Sequence, residues 1–323
     1  MRAPAVVCWI WLPLIPLVVL RAQHVPQPSA APLDSRLYYY ATPRSTLEAE
    51  VHSVPATNQA RLEHLQALFS DRGCTGNQLR VQPIGDKAGS PANLICTWPG
   101  NTASTVVVLA EYEHEGKGQS AVENWSGAAL LPYLYFGMQA RPRENNWVFV
   151  ESGSRSGATA YVRSLTAEQK KQIRAVVVLD SLGVSPATRF FTAYPESPFL
   201  PAPVVHLQMA LALASLSDPR APRPEFLSPE RWIPSDDTQP FRYSHVPCIL
   251  LHSIAESDAS LPGSVRDTPE AIDGNSYYSN YRTVAVFLVG LDALAGKLLH
   301  DDPIWHGQGT QFGLNPNDLP ILR

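Results

Sequence analysis

The stretch Thr105-Val-Val-Val-Leu-Ala-Glu111 is one of three apolar runs, rich in β-branched residues, that each end in an acidic residue. The other two are Trp147-Val-Phe-Val-Glu151 and Ala175-Val-Val-Val-Leu-Asp180. Such runs are typical of buried strands in a parallel or mixed sheet. Because ligands bind such sheets at the carboxyl ends of the strands, we expect these three acids to share one edge. Glu123, at the start of the next helix, is expected to join them.

Strands and helices alternate along most of the chain. The pattern predicts strands at 78–84, 93–98, 105–111, 147–151, 176–180 and 248–252. It predicts helices at 56–72, from Asn124 through Leu134, at 157–165, after Thr166 with a capping pattern, and at 269–299. This order predicts an α/β fold with three layers, α/β/α, around a central mixed, mostly parallel sheet. Residues 44–323 are expected to form one such domain.

Two proline-rich segments, 185–203 and 217–240, are predicted to be long surface excursions. Between them, Val204–Leu216 has the pattern of a short strand that passes into a helix.

The amino terminus resembles an export signal. Residues 3–20 form an apolar run, and Leu20-Arg21-Ala22 can serve as a cleavage site, which predicts a signal peptide at 1–22. An uncleaved membrane anchor is the alternative, and Pro13 and Pro16 weigh against it. Residues 23–43 are rich in Pro, Ala and Ser and are predicted to be an extended leader. No later segment has the length and apolarity of a membrane span. We therefore predict a secreted, extracellular or periplasmic protein.

The net charge of the chain limits the partners that it is expected to bind. The formal net charge is −4 and no basic run occurs, so nucleic acid is not an expected partner.

Cys74, Cys96 and Cys248 follow the predicted signal, and none belongs to a Cys-x-x-Cys pair. In an exported protein Cys74 and Cys96 can form a disulfide. The alternative is that all three cysteines are buried thiols.

Asn124-Trp125-Ser126 matches a glycosylation sequon. Its predicted position is a buried helix start, where a glycan would not fit. We therefore expect Asn124 and Ser126 to cap the helix.

Several segments, in this order, resemble the co-catalytic zinc aminopeptidases and their glutaminyl cyclase and glutamate carboxypeptidase relatives. In that family a strand ends in His-Tyr-Asp, Asp-Asn-x-Ser-Gly opens a helix, and strands ending in Glu-Glu and Asp precede a Ser-Asp-His-x-Pro-Phe segment. The corresponding segments here are Glu111-Tyr-Glu113, Glu123-Asn-Trp-Ser-Gly127, Glu151-Ser152, Asp180 and Asp237-Thr238-Gln-Pro-Phe241. The resemblance covers most of residues 45–298 and implies the zinc-exopeptidase fold.

The resemblance also assigns roles, and several ligand positions depart from the family pattern. The catalytic base falls on Glu151, and a single-metal aspartate falls on Asp180. The bridging aspartate falls on Glu123, one methylene longer. The two metal-binding histidines fall on Glu111 and Thr238, and a metal-binding glutamate falls on Ser152. Zinc favours imidazole and thiolate ligands, and this set offers neither.

Two functional hypotheses follow from the resemblance. The first is a pseudo-enzyme, like the family's non-enzymatic members such as the transferrin receptor, that has lost the two-zinc centre and binds a peptide or protein in the old cleft. The second is an active metallo-aminopeptidase or glutaminyl-cyclase-like enzyme with an oxygen-rich metal site. The first implies no metal, or a hard cation such as calcium or magnesium that relieves the repulsion among the carboxylates. The second implies a metal, zinc included.

Overall fold

A computed structural model describes residues 38–85, 90–114, 117–193, 222–226, 237–244 and 246–298, with positions 207, 210, 211 and 214 between them. Within these residues eight strands form one sheet in the order β1-β2-β4-β3-β5-β8-β6-β7. The strands are β1 Leu79–Pro83, β2 Ala92–Trp98, β3 Thr105–Glu111, β4 Asn146–Ser152, β5 Ile173–Leu179, β6 Arg189–Ala193, β7 Glu225–Phe226 and β8 Cys248–His252. The helices are α1 Arg44–His52, α2 Asn58–Asp71, α3 Ser126–Ala128, α4 Leu131–Met138, α5 Gly157–Ser164, α6 Ala167–Gln172, α7 Gln239–Arg242 and α8 Gly274–Leu298.

The centre of the sheet is parallel and its flanks are antiparallel. Strand β3 runs parallel to β4 and β5, and β5 runs parallel to β8. Strands β2 and β6 join this centre as antiparallel neighbours. The carboxyl ends of the four central strands therefore lie at one edge of the sheet, and the predicted mixed sheet is confirmed.

Alternation along β3 separates two buried cores. Val106 and Val108 pack on one face, in the core that contains residues of α2, α4 and α8. Val107 and Leu109 pack on the other face, in the core that contains residues of α5. Helices thus cover both faces, which confirms the predicted three-layer α/β/α architecture.

The predicted surface excursions are partly wrong. Residues 189–193 form strand β6, because this run between the prolines pairs antiparallel with β8. Residues 225–226 form the short strand β7 beside it. The described positions of the ambiguous segment, 207, 210, 211 and 214, are helical. Its predicted strand lies outside the described residues.

The predicted signal peptide, residues 1–22, and most of the predicted leader lie outside the described residues. The last leader residues, 38–43, pack on the domain. The Tyr40 N–H donates to the Gly137 carbonyl at 3.1 Å, and the Thr42 N–H donates to the Tyr281 hydroxyl at 3.0 Å. Among the helices of the described residues, none combines the length and apolarity that crossing a membrane requires.

Of the two cysteine alternatives, the structure has the disulfide. Cys74 follows α2, Cys96 lies in β2, and their sulfur atoms are bonded at 2.04 Å. The bond closes a loop between residues 22 positions apart. Cys248 is a buried free thiol.

Replacing both bonded cysteines by alanine is expected to lower the free energy of unfolding by about 3 kcal/mol, because a loop of this length constrains the unfolded chain. Urea denaturation measures the loss. As a control, reductant should shift the wild-type midpoint and leave that of the double variant unchanged. A wild-type midpoint that reductant does not move would contradict the prediction.

Candidate functional site

Three of the predicted site positions meet at the carboxyl edge of the sheet. Glu111 ends β3 and is paired in register with Ser152, which ends β4. On the other side of β3, Ala110 pairs with Leu179, and Asp180 follows directly. Neighbouring strands lie about 4.8 Å apart. The side chain of Glu111 therefore starts about one strand spacing from those of Ser152 and Asp180, which lie on opposite sides of β3 along this edge.

Glu111 lies in a strongly acidic environment. Its side chain is 5% exposed. Burial first, and then the charges of Asp237, Glu113 and Asp180, raise its pKa to about 10. A hydrogen bond joins it to the Glu113 carboxyl group. Ionised carboxylates only accept hydrogen bonds, so this bond requires a proton on one of the two groups. We assign that proton to Glu111.

Glu151 lies on the opposite face of the sheet from Glu111, because side chains alternate between the two faces along each strand. It is paired with Ala110, one position before Glu111, and therefore belongs to the face that carries α8. Tyr277 of α8 is close enough for the Glu151 charge to act on it. Glu151 is fully buried, and neither of its oxygens has a hydrogen-bond partner among the described residues. Burial raises its pKa well above the usual range, so it is a neutral acid.

Asp267 fixes the loop that carries Glu123. The buried Asp267 carboxylate accepts from the Val122 N–H at 2.6 Å and from the Glu123 N–H at 3.3 Å. It also accepts from the Gly263 N–H at 3.0 Å. These bonds hold the turn 121–125 against the segment 263–267. The position of Glu123 thus depends on a carboxylate more than 140 residues later in the chain.

Gly263 borders Glu123 and was missed by the sequence reasoning. A Cβ atom added at Gly263 would lie 3.6 Å from Glu123 Oε2. Its φ of +64° is a left-handed conformation that favours glycine. A side chain at this position would start beside Glu123. The only sequence signal is a glycine four residues before Asp267, which by itself is uninformative.

Arg61 is a second residue that the sequence reasoning missed. Its buried guanidinium donates to the carbonyls of Tyr112 at 2.9 Å, Gln119 at 2.5 Å and Glu113 at 3.4 Å. It also lies 5.6 Å from the centre of the Trp125 ring. Arg61 thus holds both ends of the segment that links Glu111 to Glu123. The available signal was an arginine on the buried stripe of α2, in line with Leu65 and Phe69.

The hydroxyls at the remaining predicted metal positions are buried. Ser152 Oγ donates to the Ser154 carbonyl at 2.8 Å. Thr238 directly precedes α7 and follows Asp237, whose charge acts on Glu111. The assignment of a metal-ligand position to Thr238 stays a prediction.

The expected continuous helix after Asn124 and its capping are wrong. A turn at Ala121–Trp125 leads into α3, and α4 begins only at Leu131. Asn124 donates its side-chain amide to the Glu113 carbonyl at 3.0 Å. Ser126 donates its hydroxyl to the Val122 carbonyl at 2.6 Å and accepts from the Leu182 N–H at 2.8 Å. Both side chains connect loops at the site instead of capping a helix.

The residues at the site do not fit a pair of zinc ions. In the part of the chain that the structure describes, no group of three or more His, Cys, Asp or Glu side chains has a metal-binding arrangement. His114 Nδ1 is hydrogen-bonded to Ser120 Oγ at 3.2 Å. His252 Nδ1 accepts the Ile254 N–H, and burial lowers the pKa of His252 to about 4. His245 lies outside the described residues.

Replacing Glu111 by glutamine is expected to stabilise the protein at neutral and alkaline pH. The pKa of Glu111 in the folded protein lies above its ordinary value of 4.5. The contribution of this side chain to the free energy of unfolding is therefore fully present below pH 4.5 and is lost as the pH rises toward 10. Glutamine removes this loss, and we expect a gain of roughly 1–3 kcal/mol at pH 8 and almost none at pH 4. Urea denaturation at both pH values measures it. The exposed Glu256→Gln is the control, and an equal gain at both pH values would contradict the assignment.

Comparisons with known proteins agree with this fold. Residues 93–288, more than half of the chain, match Peptidase family M28. The glutaminyl cyclase of Macrostomum lignano is 15% identical, with a TM-score of 0.61 over 83% of this chain and 95% of that one. An Acidobacteriales bacterium glutaminyl cyclase is 16% identical, with a TM-score of 0.60 over 84% and 99%.

The zinc aminopeptidase BSAP from Bacillus subtilis is 15% identical, with a TM-score of 0.51 over 61% of this chain. The match spans about half (49%) of the length of that aminopeptidase. At these identities the structural likeness establishes the fold alone. No curated protein matches the sequence significantly.

Proposed function

The chain belongs to peptidase family M28, and we propose that it is an exported member without a two-zinc peptidase centre that binds a peptide or protein ligand in the old cleft. The observation that carries the proposal is the donor set at the carboxyl edge. Glu111, Ser152 and Asp180 bring oxygen donors only, where zinc favours imidazole and thiolate. Two of these three residues depart from the family pattern.

The protonation of the buried acids supports the same proposal. A carboxyl group acts as a general base only when it is ionised. Glu151, the residue at the base position, is buried as a neutral acid without a hydrogen-bond partner among the described residues. To accept a proton Glu151 would first have to ionise, and burial opposes this.

Export is the second part of the proposal. The disulfide between Cys74 and Cys96 supports it, because such bonds persist in oxidising compartments. The apolar run at residues 3–20 supplies the signal. Mass spectrometry of protein recovered from the medium or periplasm tests this part, and a chain that begins after residue 22 is the expected product.

The acidic cluster favours one alternative function, an aminopeptidase or glutaminyl-cyclase-like enzyme with an oxygen-rich metal site. Carboxylates from Glu113, Asp180 and Asp237 act on Glu111, and oxygen ligands suit calcium or magnesium better than zinc. Glu151, the family's base, is also retained.

A randomised peptide library with free amino termini separates the two functions. The library is passed over the immobilised protein, with and without calcium, magnesium and zinc, and both the retained and the released peptides are sequenced. We expect intact peptides to be retained. Their retention should fall in Glu123→Lys, which reverses a charge in the cleft, and persist in the exposed control Glu256→Lys. Shortened or cyclised peptides would establish the enzyme instead, and no retention at all would overturn the binding function.

A further inference from the structure

Four carboxyl groups form what we call the acidic floor of the candidate site: Glu111, Glu113, Asp180 and Asp237. Glu111, Asp180 and Asp237 are each at most 6% exposed. Glu113, which is hydrogen-bonded to Glu111, is half-buried and connects the floor to the solvent. The charges that act on Glu111 come from the other three groups, and all of them are acids. A ligand that reaches this floor therefore meets negative charge from several sides.

One oxygen of Glu111 is placed to accept a hydrogen bond from a ligand. The Glu111 carboxyl group shares its proton with Glu113. Its oxygen Oε1 is buried and has no hydrogen-bond partner among the described residues. A buried acceptor without a donor costs free energy. A ligand that donates a hydrogen bond here removes this cost, and the surrounding acids favour a donor that carries positive charge.

The burial of the floor distinguishes between the possible cations. A metal ion is disfavoured, because no group of three or more His, Cys, Asp or Glu side chains in the described part of the chain is arranged to hold one. The ammonium group of a lysine or of a peptide amino terminus is compact and strongly hydrated, so its burial is costly. A guanidinium is more weakly hydrated and presents five N–H donors in one plane, which match carboxylate oxygens. The floor therefore favours a guanidinium.

We propose that the ligand of this cleft inserts an arginine side chain, whose guanidinium binds the acidic floor. This inference rests on the function proposed above and names the group of the peptide or protein ligand that the cleft recognises. The guanidinium donates to Glu111 Oε1 and to the neighbouring carboxylates. Its aliphatic stem runs past the half-buried Glu113 toward the solvent, where the rest of the ligand lies.

Titration calorimetry of the full chain with three matched peptides tests the proposal. Each peptide has five residues and blocked ends, with arginine, lysine or citrulline at the centre and alanine elsewhere. Citrulline has the shape of arginine without its charge. Buffer with about 0.5 M salt screens attraction between exposed charges. We expect the arginine peptide to bind, the lysine peptide to bind about tenfold more weakly, and the citrulline peptide at least about 30-fold more weakly.

A charge-removing variant locates the binding at the floor. Glu113→Gln should weaken binding of the arginine peptide at least about tenfold, because it removes one charge-assisted hydrogen bond. The control is Glu256→Gln, an exposed position that should leave the affinity unchanged. Urea denaturation shows whether both variants are folded. If Glu113→Gln does not fold, the comparison of arginine with citrulline on the wild-type protein decides the matter.

The proposal is overturned if the arginine peptide does not bind at about 1 mM, a concentration that would detect weak affinity. It is overturned equally if the lysine or citrulline peptide binds as tightly, or if a folded Glu113→Gln variant keeps the wild-type affinity.

A fourth peptide, with central citrulline and a free amino terminus, separates this failure from that of the proposed function. If it binds and the arginine peptide does not, the cleft binds peptides through another group and only the arginine inference is wrong. If no peptide binds and the randomised library is not retained either, both are wrong.

Discussion

Purified protein dialysed against zinc is expected to retain less than one equivalent and to show no aminopeptidase turnover above background. Loss of an outer partner of a zinc ligand already costs about 10–100-fold in affinity or activity. Here a carboxylate ligand of the family is replaced by Ser152 and an imidazole by Glu111, so we expect at least about a 1,000-fold loss of zinc affinity. Elemental analysis and a panel of aminoacyl substrates, with zinc, manganese or calcium, measure both. Two equivalents of zinc with turnover that Glu151→Gln abolishes would refute the prediction.

A matched pair of repair variants shows whether the ligand positions are correctly assigned. Both carry Glu111→His and Ser152→Glu. One adds Thr238→His, as the resemblance implies, and the other adds Gly263→His, because a side chain at 263 starts 3.6 Å from Glu123 Oε2.

We expect the Gly263 variant to gain more zinc, although its left-handed backbone costs about 1–2 kcal/mol with a side chain. Histidine is among the residues that tolerate this region. Greater zinc binding by the Thr238 variant would support the assignment made from the sequence. If both variants fold and neither binds zinc, the assignment of the family's ligand positions to residues of this chain is itself wrong.

Asp267→Asn is expected to lower the free energy of unfolding by about 3–5 kcal/mol. This is the usual cost of removing one partner of a buried pair of charges. The Asp267 carboxylate accepts three backbone N–H groups, and its charge acts on the buried Arg61. An amide turns one acceptor into a donor that faces these N–H groups and leaves the Arg61 charge uncompensated.

Urea denaturation measures this loss, and an unchanged slope shows that unfolding remains a single transition. Asp71→Asn, at the exposed end of α2, is the matched control and should change the free energy of unfolding by less than about 0.5 kcal/mol. A loss of that small size in Asp267→Asn would mean that Asp267 does not hold the Glu123 loop.

The sequence predicted the central strands well, because a strand buried on both faces is a continuous apolar run. Strands β3 and β8 begin and end at the predicted residues. Strand β6 was missed because its residues lie among prolines and its pairing with β8 is a long-range contact. Local pattern carries no information about a partner strand about 60 residues away.

The shared edge of Glu111 and Asp180 followed from strand direction, which the runs themselves indicate. Strand direction did not predict that Glu151 lies on the other face of the sheet, because that depends on the register of β4 against β3. Arg61 and Asp267 act through contacts between distant segments. A charged residue with such a role has the same local sequence signature as one exposed to solvent.

Strand β1 has a consequence for the behaviour of the protein at high concentration. It forms one edge of the sheet, spans only Leu79–Pro83, and carries exposed Arg80 and half-buried Gln82 around the exposed Val81. A bare edge strand is a template on which a second copy can add its own strand and begin to aggregate. Shortness, a charged side chain and a terminal proline, which lacks a backbone N–H, each oppose such pairing. The same residues that make β1 a weak strand thus protect the apolar sheet behind it from self-association.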